Sequence, residues 1–206
     1  MVNFDEFDPN KLEITSKAVS PDYSPEPFYL VETSESGETR LPCWSADPAP
    51  LMEIILEVLK TFPEEVEMLI KAKTESDTAD SYEPDEWIRF HGYASNRAVQ
   101  NALTRFHKFL VRDSTHQFMV RNTETGEYLC FDDYGILWIY SGDKKFKKLL
   151  VARGFKEKDD QPLIYEGAVW RFTAPNSMDQ LKELADFLML DEVGNPEQEK
   201  PGEQIQ

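Results

Sequence analysis

Residues 117–155 decide the fold: QFMVRN (117–122), TETG (123–126), EYLCFD (127–132), DYG (133–135), ILWIYSG (136–142) and DKKFKKLLVARGF (143–155). Three short runs rich in Val, Ile, Phe, Tyr and Trp are separated by compact turn signals. That order reads as an antiparallel meander over about 117–141. Gly126 and Gly135 supply the positive φ that tight reversals need. Asp132 or Asp133 opens the second turn through a side-chain bond to the backbone. The runs FMV, YLCF and ILWIY are apolar at successive positions, so the reading expects central strands covered on both faces.

Outward from this centre, Asp143 caps a helix with Phe146, Leu149 and Leu150 inward, and Gly154 stands where a C-cap glycine belongs. Leu163–Tyr165 and Ala168–Phe172 read as a further hairpin or bulged strand. Ser177 and Gln180 form a capping box for a last helix facing inward through Leu181, Leu184, Ala185 and Leu188. On the N-terminal side, Ser95 or Asn96 caps a helix with Val99, Leu103, Phe106 and Leu110 on one face. Trp87–Tyr93 alternates as a strand. Phe28–Thr33 and Glu38–Trp44 form a hairpin with Gly37 at its turn. Asp47-Pro48 starts a helix that carries Leu51, Ile54, Ile55, Val58 and Leu59 and stops at Pro63. Thr61 and Glu64 then read as the cap of a second helix with Val66, Leu69 and Ile70 on its face.

The expected class is α+β: a central, mostly antiparallel sheet, with the meander plus strands near 87–93 and 163–172, flanked by about five helices. Residues 1–27 read as an extended acidic arm and 28–190 as a single globular domain containing an acidic loop at 74–86. Residues 191–206, rich in Pro, Glu, Gln and Gly, read as a disordered tail. With 206 residues the chain can bury a core without disulfide or metal support.

The net charge of −17 is unevenly spread. Between Trp87 and Lys158 there are 13 Lys and Arg against 7 Asp and Glu, so a mildly basic centre is set among acidic flanks. Such a field repels phosphate at long range, which argues against nucleic acid as a partner. There is no apolar run near spanning length and no signal-like leader, so a cytoplasmic chain with no membrane partner is expected. Cys43 and Cys130, inside or beside apolar runs, read as buried thiols rather than a disulfide.

Catalytic motifs are missing. There is no phosphate-cradling glycine loop, no nucleophile elbow, no HExxH and no CxxC, and no cofactor or metal is expected. Three histidines, His91, His107 and His116, show no ligand spacing. Asp132 and Asp133 are adjacent, so on a strand they would project to opposite faces. Cys130 with His116 is a nucleophile–base pair to test, against a buried inert thiol. Lys144, Lys145, Lys147 and Lys148, with Arg153, Lys156 and Lys158, form a basic cluster that reads first as the solvated side of an amphipathic helix.

The function expected from these features is a non-enzymatic soluble binding protein, of the inhibitor or immunity type, that covers a basic partner protein through an acidic surface. Its candidate partner-binding residues are Asp77, Asp80, Glu83 and Asp85 in the acidic loop, and Tyr134 at a turn tip. The alternative is an enzyme or small-ligand domain with a pocket near His116, Asp132 and Asp133.

Overall fold

The nine residues Glu65–Lys73 form an interior strand (β5) of the main sheet; the structure is a computed structural model describing residues 17–20, 23–73, 87–167 and 169–193. Their sequence, EVEMLIKAK, buries Val66, Met68, Ile70 and Ala72 and turns the alternate residues outward. That is the period of two that places one strand face on a core. The helix expected after Pro63 is therefore a strand. Val66, Leu69 and Ile70 fit helical spacing, but Met68 and Ala72 complete the alternation, and pairing on both sides fixes it. β5 lies between β6 (Trp87–Ser95) and β7 (His116–Asn122), antiparallel to both.

From β7 the sheet continues through β8 (Tyr128–Phe131), β9 (Leu137–Tyr140), β4 (Thr39–Trp44), β2 (Phe28–Tyr29) and β10 (Lys156–Glu157). β3 (Glu32–Thr33) also pairs with β4, and β12 (Asp191–Val193) closes the other edge on β6. Among the described residues β10 with β2 is the parallel pairing; the other ladders are antiparallel. Gly37, Gly126 and Gly135, with φ of 86°, 77° and 79°, close the turns read from sequence.

All the longer helices cover one face. They are α1 (Ala49–Leu59), α2 (Asn96–Arg105), α4 (Lys144–Ala152) and α5 (Ser177–Leu188); the short α3 (His107–Leu110) follows a break at Phe106. Their apolar stripes meet Met68, Ile70, Phe118, Val120, Leu129, Phe131 and Ile139 in the main core. Ser95 accepts the Ala98 N–H at 3.2 Å and Asp143 that of Lys145 at 2.8 Å, so two helix starts carry the caps their sequence promised; at α1 the N-cap is Pro48, and Asp47, one residue earlier, accepts the Ala49 N–H at 2.9 Å. No helix among the described residues is long and apolar enough to cross a membrane.

The opposite face is only partly covered. At the β2–β4 end a second small core holds Phe28, Leu30, Trp44, Ile136, Leu163 and Ile164. Elsewhere two rows of side chains cross the sheet in register on this face. One is Pro42, Trp138, Cys130, Met119, Leu69 and His91; the next is Arg40, Tyr140, Tyr128, Arg121, Glu67 and Tyr93. The expectation that the meander strands are covered on both faces thus fails over this stretch. Trp138, Cys130 and Met119 are half-buried.

Three boundaries also move. None of the described residues of 163–172 joins the main sheet: Ile164–Glu166 is a 3-10 turn, and β11 (Trp170–Arg171) pairs with β1 (Ala18–Val19) in a separate two-stranded ladder. The described residues of the expected arm, 17–20 and 23–27, are part of the fold, and Lys17 is buried. Asp191–Val193, expected as the start of the tail, is β12.

Candidate functional site

At the sheet end where β7 begins and β8 stops, ionisable residues gather around one buried amine. Lys17 has no solvent exposure, and its Nζ donates to the His116 carbonyl at 2.7 Å and sits 4.9 Å from the centre of the Phe131 ring. Desolvation lowers its pKa to about 8, while the charges of Asp132, Asp113 and Asp133 pull it upward. His116, Asp132 and Asp133, singled out from sequence, are therefore neighbours of a lysine that sequence reading placed in an extended arm.

Each carboxylate here already has its donors. Asp132 Oδ1 accepts the N–H groups of Tyr134 (2.9 Å) and Ile136 (2.8 Å), and its Oδ2 accepts Trp138 Nε1 at 2.8 Å. It is the turn-forming aspartate of the β8–β9 reversal, and burial still pushes its pKa up. Asp133 Oδ2 takes Arg171 Nη2 at 2.7 Å and lies 3.6 Å from Lys73 Nζ. Asp113, fully buried, accepts Thr115 N–H at 2.8 Å, the Thr115 hydroxyl, Ala174 N–H at 2.7 Å and His116 Nδ1 at 3.2 Å. Against the cost of its burial, these donors hold its carboxyl well below the usual carboxylate range.

His116 stacks on Phe109 with ring centres 4.8 Å apart. Desolvation, helped by the Lys17 charge, lowers its pKa to about 4 against the opposing pull of Asp113. Its bond to Asp113 puts the proton on Nδ1, and the buried Nε2 has no partner. His116 lies on the helix-covered face of β7. Cys130 pairs with Met119 on the other face. The sheet separates the two, so the nucleophile–base pairing fails on geometry. Burial also raises the Cys130 thiol to about 12 and the Cys43 thiol well above its ordinary value.

A cavity of about 630 Å³ lies beside this cluster, lined by Lys73, Ile88, Thr115, Thr173, Asn176 and Ser177 among others. Thr115 Oγ1 meets Ser177 Oγ at 2.7 Å and also donates to Asp113, so the cavity wall touches the buried network. His116, Asp132 and Asp133 do not line it. Among the described residues no three His, Cys, Asp or Glu side chains converge as a metal site.

Tyr134, expected as an exposed anchor, is half-buried against the second core, 5.7 Å from Tyr165 and beneath Arg171 at 4.9 Å. The acids Asp77, Asp80, Glu83 and Asp85 lie outside the described residues. In the basic cluster around α4, Lys145 pairs with Asp143 (3.1 Å), Lys147 with Glu157 (3.7 Å), Arg153 with Glu53 and Glu57, and Lys156 with Glu26. Much of that charge is neutralised within the chain.

Sequence reading missed the most exposed apolar residue of the described chain. Met189 is 85% exposed and holds the left-handed conformation, φ 55° and ψ 41°, at the C-cap of α5. Glycine is usual there, because a side chain is strained at positive φ. Leu190 packs over Gly92, where an added Cβ would stand 3.2 Å from Leu190 Cδ2. Met189 and Tyr93, the latter 59% exposed, each lie one residue along the chain from that contact. Asp186, Asp191 and Glu192 are exposed around them, and β12 has β6 as its one partner among the described residues. The signal in the sequence was the LMLDE run (188–192) at a helix end with no glycine.

Searches against known protein families, curated proteins and solved structures found no match for this chain. Its class is that of an α+β protein with helices on one sheet face and the other face partly open.

Proposed function

We propose that this is a non-enzymatic binding protein that covers a basic segment of another protein, with the acidic β12 edge as its contact surface. The observation carrying this reading is Met189, an apolar side chain held in solvent at a strained backbone position. Strain of this kind persists where the surroundings or a function impose it. An exposed apolar centre with a charged rim is also the usual anatomy of an interface. Here Tyr93 and Met189 form the centre, and Asp186, Asp191 and Glu192 the rim. β12 has strand pairing on one side, so an extended segment can add to it through backbone hydrogen bonds. A second copy of the chain would bring the same acids against each other, which disfavours edge-to-edge self-pairing.

The acidic residues of the segment joining β5 to β6, including Asp77, Asp80, Glu83 and Asp85, fit the same reading as steering charges. They would speed encounter with a basic partner more than they would hold it.

The enzyme alternative loses support because Asp113, Asp132 and Asp133 are engaged by donors of the fold itself. The small-ligand alternative keeps one observation, the cavity beside Thr115 and Ser177.

The reading is tested with two labelled peptides of extended, alternating pattern, one Arg/Leu and one Glu/Leu. The basic peptide should bind, and its association rate should fall as ionic strength rises past about 0.15 M, where the screening length is near 8 Å. Equal binding of the acidic peptide, or of neither, refutes the proposal.

A further inference from the structure

The partly open sheet face carries three polar side chains in one row that the fold itself leaves unused. Lys71 on β5 stands directly opposite Gln117 on β7 on one side and Arg89 on β6 on the other. Directly opposed residues bring their side chains close together, and like charges in that position repel. Lys71 and Arg89 are such a pair. By contrast, Arg40 is answered by Glu32 at 2.5 Å, Arg121 by Glu67 at 3.2 Å and Arg171 by Asp133 at 2.7 Å. Among the described residues, Lys71, Arg89 and Gln117 have no side-chain hydrogen bond and no ion pair.

Water can solvate the half-buried Lys71 and Gln117. It does not reach Arg89 Nε, which is buried and has no acceptor. A buried donor without an acceptor is unfavourable, and next to a second cation it is doubly so. Both defects are removed by one event, the arrival of an anionic acceptor. Beside the row is a small hollow of about 50 Å³ lined by Leu69, Lys71, Gln117, Phe118, Met119 and Cys130. It admits a compact group and offers an apolar floor next to the charged row.

We propose that Gln117, Lys71 and Arg89 form a binding site for the oxyanion of a small amphiphilic acid, whose apolar part lies on Leu69 and Met119. The guanidinium supplies a forked donor, the ammonium a point charge and the amide a neutral donor, a set suited to a carboxylate or a phosphate ester. Arg89 stands opposite Val193, so the site adjoins the β12 edge, but it lies on the open sheet face and takes an anion, whereas the edge would take a basic segment through backbone bonds; each proposal stands or falls on its own ligand.

The test is calorimetric titration of the full chain with octanoate, phenyl phosphate, inorganic phosphate and, as an uncharged control, octanol. Octanoate or phenyl phosphate should bind and octanol should not; the tighter of the two names the class of acid. Arg89→Met and Lys71→Met, which keep the apolar stems, should each weaken binding by about tenfold or more. Arg89→Lys should fall between Arg89→Met and the wild type. The ligand-free variants should unfold at the wild-type midpoint or above it, because the like-charge opposition is gone. The proposal is overturned if no anion binds with a Kd below about 10 mM, or if the variants bind as the wild type does. It is also overturned if ligand-free Arg89→Met is markedly less stable, which would make Arg89 a structural residue.

Discussion

Lys17 Nζ donates to the carbonyl oxygen of His116 at 2.7 Å across 99 positions of sequence, with both residues fully buried. The bond ties the N-terminal segment to the start of β7. Asp113, Asp132 and Asp133 supply the counter-charge, and Arg171 and Lys73 answer Asp133. The cluster holds the ends of three distant segments together.

Lys17 gives the protein an unusual alkaline limb. Burial lowers its pKa from 10.5 to about 8. Between those values the unfolded chain holds a proton that the folded chain has released, so stability should rise with pH. The full effect is of order 3 kcal/mol. The buried thiols of Cys43 and Cys130, and Tyr29 and Tyr128, raised to about 12, act in the opposite sense as pH rises, but they are common to the wild type and Lys17→Met. The wild-type urea midpoint minus that of Lys17→Met should therefore climb between about pH 8 and 10. A difference that stays flat would mean that Lys17 is not desolvated.

His116 sets the acid limb. Its pKa is lowered from 6.5 to about 4. The unfolded state therefore binds the extra proton first, and stability should fall as pH drops from about 6.5 to 4, by about 3 kcal/mol in all. Below that range Asp113 adds its own loss, because its carboxylate is stabilised only in the folded state. NMR of the folded protein should show the His116 ring titrating near pH 4. A midpoint near 6.5 would contradict the burial.

Trp138 contributes through a hydrogen bond as well as through packing. It is half-buried, and its Nε1 is one of three donors to Asp132. Trp138→Phe keeps most of the contact area and removes the donor, so it should cost about 1–2 kcal/mol. An unchanged unfolding midpoint would show that Asp132 does not depend on it.

The elements legible in the sequence were those fixed locally. Gly37, Gly126 and Gly135 mark their turns, Asp132 stabilises one of them, and Ser95 and Asp143 cap helices as their positions suggested. β5 was misread because Val66, Leu69 and Ile70 satisfy a helical period, while its strand state is imposed by β6 and β7 from elsewhere in the chain. Asp132, Asp133 and His116 could be named from sequence, but the amine that unites them could not. Lys17 carries no local sign of burial, and its partners lie about a hundred residues away. The Lys71–Arg89 opposition was hidden for the same reason, since it exists only in the β5–β6 register.

Met189 should separate stability from binding. Met189→Gly removes a side chain from left-handed backbone and should stabilise the isolated protein by about 1 kcal/mol. It should weaken binding of the basic Arg/Leu peptide at the same time. A variant that is more stable and binds equally well would leave Met189 without a role in recognition.

The most direct test of the partner-binding account is amide hydrogen exchange with and without that basic peptide. The account predicts that exchange at Asp191–Val193 slows on binding, since an added strand engages the side of β12 that no described strand pairs. It also predicts that Asp191→Lys with Glu192→Lys abolishes both the protection and the affinity. Binding that leaves the 191–193 amides unprotected and survives the charge reversal would contradict it.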